Sequence, residues 1–237
     1  MSDIPEPVRR EVRQEANFGC AICGNPIIEI HHIVPRSEEE HNDPERMIAL
    51  CRNHHELAGP QAEGITPDQL YEYKKDPYNS DLVDYDFYFE SETPLVEFAG
   101  CKCQLRDLDE MSILSVNGED LVTMSYSDGV LQFSARLYNQ EGDLVAELNE
   151  NEWIAYTEDV WDLTYNGNQF KIWHDKRDIG IEIRYNSDTD RLFMRGNFYK
   201  DGALVRATPS KIVFPGNNQV IGCTFIDCGG ALALSTK

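Results

Sequence analysis

The chain has 237 residues, enough for two domains and a sizeable core, and no apolar run long enough to span a bilayer. Its 21 Lys+Arg stand against 42 Asp+Glu, and the formal net charge of −21 excludes attraction to a polyanion through overall charge. Seven cysteines that include a closely spaced pair, and a Met1-Ser2-Asp3 start that does not begin a signal peptide, fit a reducing cytoplasm better than secretion.

Residues 4–18 (IPEPVRREVRQEANF) read as a helix, with Pro5 and Pro7 suited to a first turn and Val8, Val12 and Ala16 on one face. Arg9, Arg10 and Arg13 fall on the other faces, either solvated or within reach of phosphates. The stretch from Cys20 to His55 comes next and holds three of the seven cysteines and five of the six histidines. Two short ligand pairs, Cys20-x2-Cys23 and Cys51-x2-His54, bracket it. Four ligands in two such knuckles match a closed, tetrahedral structural zinc site.

Between the knuckles, Ile28 to Ile33 reads as extended chain, where neighbouring side chains point to opposite faces. His31 and His32 therefore do not share one coordination shell. One can ligate while the other faces substrate. His55 follows the second knuckle, where a short helix (His54 to Ala58) can start, so a second and more open metal site is possible. Residues 37–45 (SEEEHNDPE) form an acidic, turn-rich loop. Thr66-Pro67-Asp68-Gln69 is a capping box that opens a helix to about Lys75, with Lys74 and Lys75 exposed and Asp76-Pro77 ending it.

The segments C-x2-C-G, I-E-I-H-H-I-V-P-R-S and E-R-M-I-A-L-C-R-N-H-H together resemble the HNH endonucleases, over roughly residues 4–76. The resemblance implies a ββα-metal unit in which His31 and His55 hold a catalytic divalent ion and His32 is the general base. The zinc knuckles would clamp that finger. Magnesium or manganese is the first expectation for the ion, although two imidazoles also suit zinc, nickel or cobalt. The implied reaction is hydrolysis of DNA phosphodiester bonds, leaving 5′-phosphate ends. The family's middle asparagine is replaced by Arg46, which donates hydrogen bonds but accepts none. That leaves open a site retuned around Arg46, one that uses Asn42 or Asn53, and a catalytically impaired zinc module that binds nucleic acid or protein. Arg9, Arg10, Arg13, Arg36, Arg52, Lys74 and Lys75 are the candidate nucleic-acid contacts.

Beyond the finger, residues 78–100 are acidic and aromatic and read as a connection that packs on something. Residues 101–237 read as all-β, short alternating runs separated by turn signals such as Asp128-Gly129 and Asp201-Gly202, as in an antiparallel sheet or sandwich. Trp153, Trp161 and Trp173 are expected core or intersheet anchors. Residues 210–235 resemble one rung of a parallel β-helix, which, since one rung cannot bury itself, either caps the sheet or stacks on another subunit. Cys101, Cys103, Cys223 and Cys228 are expected as buried free thiols.

The fold class expected is thus α+β: a zinc-bound HNH domain (1–77), the connection (78–100), and a β domain (101–237) that regulates or assembles the nuclease. Both parts are acidic, with 8 Lys+Arg against 15 Asp+Glu in residues 1–80 and 13 against 27 in residues 81–237. A local basic patch, divalent ions, or a homo-oligomer or protein activator built through the β domain would have to offset the repulsion of DNA. By analogy with nuclease-plus-sensor chains, such a protein would fit defence against foreign DNA.

Overall fold

The computed structural model describes residues 4–35, 38–39, 41–59, 64–87 and 95–236. Helix α1 (Glu6–Glu15) starts at the two prolines, and its Val12, followed by Ala16, packs on Met47 and Ala49. Strands β1 (Ile28–His32) and β2 (Met47–Cys51) pair antiparallel, with His31 opposite Ile48 and His32 opposite Met47. Every residue of β2 is buried. Helix α2 (Arg52–Leu57) leaves β2 without a loop. Helix α3 (Pro67–Lys75) starts at the expected capping box, in which Thr66 Oγ1 accepts from the Gln69 N–H and Gln69 Oε1 accepts from the Thr66 N–H.

From Leu82 onward the chain builds sheets. The first strands are β3 (Leu82–Asp86), β4 (Leu95–Phe98) and β5 (Cys101–Gln104). A meander follows: β6 (Glu110–Val116), β7 (Glu119–Ser127), β8 (Val130–Tyr138), β9 (Leu144–Asn149) and β10 (Glu152–Tyr156). A second meander comprises β11 (Asp162–Tyr165), β12 (Gln169–Asp175), β13 (Asp178–Asn186), β14 (Arg191–Lys200), β15 (Ala203–Ala207), β16 (Ile212–Val213) and β17 (Gln219–Val220). The chain closes with β18 (Thr224–Ile226) and β19 (Gly230–Leu234). Asp128-Gly129 and Asp201-Gly202 make their hairpins because both residues of each pair adopt positive φ, which matches the twist of the flanking strands.

The first meander is flanked by β3 on β10 and β19 on β6, giving a seven-stranded sheet, and the second forms the spine of a ten-stranded one. A single buried cluster joins their inner faces, with Trp153 of the first sheet 4.6 Å, centroid to centroid, from Phe170 of the second. The class is α+β with mostly antiparallel sheets. The stretch read as a connection supplies β3 and β4, and Tyr88 and Phe89 within it lie outside the described residues.

Three expectations are corrected here. The last stretch is no β-helix rung: β18 pairs parallel with β5 and β19 parallel with β6, so the tail divides between two sheets whose strands there still had free backbone groups. Trp161 is not a core anchor, since it is half-buried and lies under the Arg10 guanidinium at 4.1 Å, with its carbonyl accepting from Gln14 Nε2 at 2.6 Å. Arg13 is not on a solvated face. Its Nε and Nη2 donate to Asp162 at 2.9 and 2.7 Å, and both side chains are almost fully buried. Helix α1 thus docks on the start of β11.

Truncating Arg13 leaves Asp162 charged and desolvated, which typically costs about 3–5 kcal/mol, whereas truncating Asp162 leaves Arg13 its second partner, Glu6, at 2.6 Å. Arg13→Ala is expected to lower unfolding free energy by about that amount and Asp162→Ala by less, measured by urea denaturation. A double replacement by methionine and leucine should recover most of it, because an apolar pair of similar volume leaves no buried charge.

The four cysteines of the β region are free thiols, Cys101 and Cys103 buried and Cys223 and Cys228 half-buried. Burial, with the neighbouring Cys101 and Cys228, pushes the Cys103 thiol up to about 12. No metal-binding group forms around them among the described residues.

Candidate metal centres and the groove beside them

The first knuckle turns at Cys20. Its carbonyl accepts from the N–H groups of Cys23 (3.2 Å) and Gly24 (2.8 Å). Gly24 sits at φ +76, and a Cβ there would lie 2.5 Å from Asn79 Oδ1 and 2.7 Å from the Tyr78 ring. Tyr78 N–H donates to the Ala21 carbonyl, while Asn79 Nδ2 reaches the Asn17 and Gly24 carbonyls. Residues 78 and 79 therefore lock the knuckle from outside the motif. The second knuckle is the β2–α2 junction, where Cys51 is the helix N-cap and His54 lies in the first turn.

The four side chains converge, with one ligand atom from each of Cys20, Cys23, Cys51 and His54 within 4.8 Å of the others. Cys23 Sγ is 3.8 Å from Cys51 Sγ, and His54 Nδ1 is 3.4 and 3.3 Å from the sulfurs of Cys20 and Cys51. A tetrahedron with Zn–S bonds of about 2.3 Å has edges of about 3.8 Å, so these separations fit a zinc ion at the centre. The Cys23 residue is largely exposed, yet its sulfur faces the cluster, and desolvation together with the neighbouring Cys20 and Cys51 thiols pushes it up to about 12. A bound cation reverses that preference, since a coordinating thiol deprotonates.

His31 and His55 meet on another face of the same finger, their rings 4.8 Å apart at 88°. The hairpin aims His31 outward from β1, and α2 brings His55 over it one residue after the knuckle histidine. Burial first, and then the neighbouring His55 and His32 rings, push His31 down to about 4. It is neutral at pH 7, the form that binds metal. His55 Nδ1 lies 3.9 Å from Glu29 Oε2, two residues before His31 on the same face of β1. His32 turns instead towards His41, with ring centroids 5.1 Å apart at 69°. Alternation along β1 thus separates the two rings of the doublet. His31, His32 and His55 all line one groove of about 800 Å³, with Ile33, Glu38 and Leu70 among its other walls.

Arg46 is placed differently. Its Nη2 donates to Glu39 Oε2 at 2.9 Å, and its carbonyl accepts from the Ile33 N–H at 2.9 Å. The side chain serves the loop, while the groove walls come from other residues. Asn42 and Asn53 are exposed and do not line the groove either.

The expected nucleic-acid contacts scatter. Arg13 is buried with Asp162, Arg10 lies over Trp161, Arg9 Nε donates to the Ile4 carbonyl, and Lys74 pairs with Glu15. Arg52 and Lys75 remain exposed, each beside a carboxylate of its own helix, Glu56 and Glu72. Arg36 lies outside the described residues. His41, Tyr78 and Asn79 were not anticipated at the site. Their residue types carry no spacing signal, and only the fold brings them to it.

Residues 20–61 match the family model of the HNH endonuclease. No curated protein and no solved structure matches the chain. The match points to a nuclease-type function and a nucleic-acid substrate for that segment. No helix among the described residues is long and apolar enough to cross a membrane.

Proposed function

We propose that the HNH segment is a working, metal-dependent endonuclease that hydrolyses DNA phosphodiester bonds and leaves 5′-phosphate ends. The observation that carries this reading is the pair of imidazoles at His31 and His55, edge to face at 4.8 Å in an open groove with His32 beside them. Cys20, Cys23, Cys51 and His54 hold zinc and fix the β1–β2–α2 frame. His31, neutral at pH 7, and His55, with Glu29 behind its Nδ1, are the residues that would hold a divalent ion. Magnesium or manganese there supplies charge neutralisation at the scissile phosphate and at the departing 3′ oxygen. His32 takes the proton of the attacking water. Of the candidate contacts among the described residues, Arg52 and Lys75 are exposed and on offer to the DNA backbone.

The β sheets hold the finger through Arg13 and Asp162, while among the described residues the groove walls come from positions 30–70. The β domain therefore acts on the nuclease by docking and assembly rather than by covering the groove. An oligomer or activator built on it would offset the net charge of −21.

The test is plasmid cleavage by the purified chain with magnesium, manganese, nickel or no added ion, with divalent binding followed by calorimetry. Cleavage should require an added ion. His31→Ala combined with His55→Ala should abolish both that requirement's effect and the weak calorimetric site, leaving the zinc content at one per chain. Intact zinc with no cleavage under any ion, alone or concentrated, would instead favour a zinc module that only binds nucleic acid or protein.

A further inference from the structure

The loop between β1 and β2 sets a third imidazole against His32. The His41 ring meets it tilted edge to face at 5.1 Å and 69°. His41 is itself fixed at both nitrogens. Nε2 lies 3.0 Å from the Val34 carbonyl, which can only accept, so Nε2 carries the proton and donates. Nδ1 is then free to accept from the Asp43 N–H at 3.4 Å. One neutral tautomer satisfies both contacts.

Those contacts tie together the two ends of the loop. Val34 follows His32 by two residues. Asp43 caps the 3-10 turn Pro44–Arg46, its Oδ1 accepting from the Glu45 N–H at 3.1 Å. The Arg46 carbonyl at the end of that turn receives the Ile33 N–H, next to His32. The result is a closed circuit of backbone and imidazole around His32, with the His41 ring against the His32 ring. The His41 ring thus occupies one side of the His32 ring.

We propose that His41 is a positioning residue of the nuclease, holding the His32 imidazole in the orientation from which it takes a proton from water. This rests on His32 as the base. A change of about 1 Å in the position of a reacting group costs about 100-fold in rate, so even partial loss of the brace is measurable.

The experiment compares the zinc-loaded full chain with His41→Ala and His41→Gln. It records kcat and KM on DNA with manganese, and the imidazole nitrogen resonances by NMR on metal-matched samples. His41→Ala should keep zinc content, melting temperature and KM, lose about 10- to 100-fold in kcat, and shift and broaden the His32 ring signals. His41→Gln, whose amide nitrogen can reach the Val34 carbonyl, should recover part of the rate and sharpen those signals. Unchanged His32 signals with unchanged kcat in His41→Ala would overturn the assignment, as would a loss of zinc that matches the loss of rate. Should the wild-type chain cut no DNA, the proposed activity fails. The His32 spectrum still decides the positioning role, unmoved signals refuting it and displaced ones supporting it.

Discussion

Replacing Cys20 by serine, or treating the zinc-loaded chain with a strong chelator, is expected to unfold the finger while leaving the β sheets standing. The physical reason lies in the small apolar cluster around the four ligands, beside which Met47 and Ala49 add only a second small cluster with Val12 and Ala16. The cluster around the ligands consists of Cys20, Ala21, Ile33, Ile48, Leu50, Cys51 and Leu70, and two of those seven are themselves ligands. A core of that size is too small to offset the chain entropy of ordering the 42 residues from 20 to 61. In small zinc modules the apparent binding free energy is about 10–16 kcal/mol, and it serves as folding energy. The sheet core is a separate cluster built from both meanders and contains none of the four ligands. Zinc per chain should fall from one to none. Far-UV circular dichroism should retain its β signal, and amide exchange at Ile48 and Leu50 should become fast. Protection of those amides in the metal-free chain would show that the hairpin does not depend on the ion.

His32→Ala is expected to lower kcat for DNA cleavage by about 10²- to 10⁴-fold, the range that a positioned general base supplies. The loss should come without loss of zinc or of the labile divalent site. In the proposed assignment His32 belongs to neither set of ligands, its ring turning to His41 whereas His31 turns to His55. His31→Ala should behave differently, weakening divalent binding and raising the metal concentration needed for half-maximal rate. Steady-state kinetics across a manganese titration separates the two. If His32→Ala and His31→Ala shared one metal-dependent phenotype, the division between base and ligand would be wrong.

Much of the finger is legible in residue spacing. A C-x2-C or C-x2-H knuckle is closed by hydrogen bonds between residues two to four apart, as at Cys20, Cys23 and Gly24, so local sequence sets it. The division of the His31-His32 doublet follows from the two-residue period of a strand. The capping box at Thr66 and the Asp-Gly turns are equally local. Arg46 was legible only as a residue type. That its guanidinium serves Glu39 while its carbonyl serves Ile33 depends on the course of the loop.

The arginines of α1 mark where spacing stops being informative. Their periodicity places Arg10 and Arg13 off the apolar face, and an amphipathic reading assigns such residues to solvent. Asp162 and Trp161 lie about 150 residues further on, and nothing near Arg13 in sequence names them. The same holds for the tail, whose small residues and paired asparagines suggest a repeat. Backbone groups of β5 and β6, more than 100 residues earlier, capture it instead.

The sequence alone determined which atoms can ligate, which neighbours face apart and where turns and helices begin, because each depends on contacts a few residues long. Only the tertiary structure decided that α1 docks on β11, that the tail completes two sheets, and that the His41 ring lies against His32. Those outcomes rest on pairings between distant segments, and their strength comes from burial and packing that no local pattern encodes.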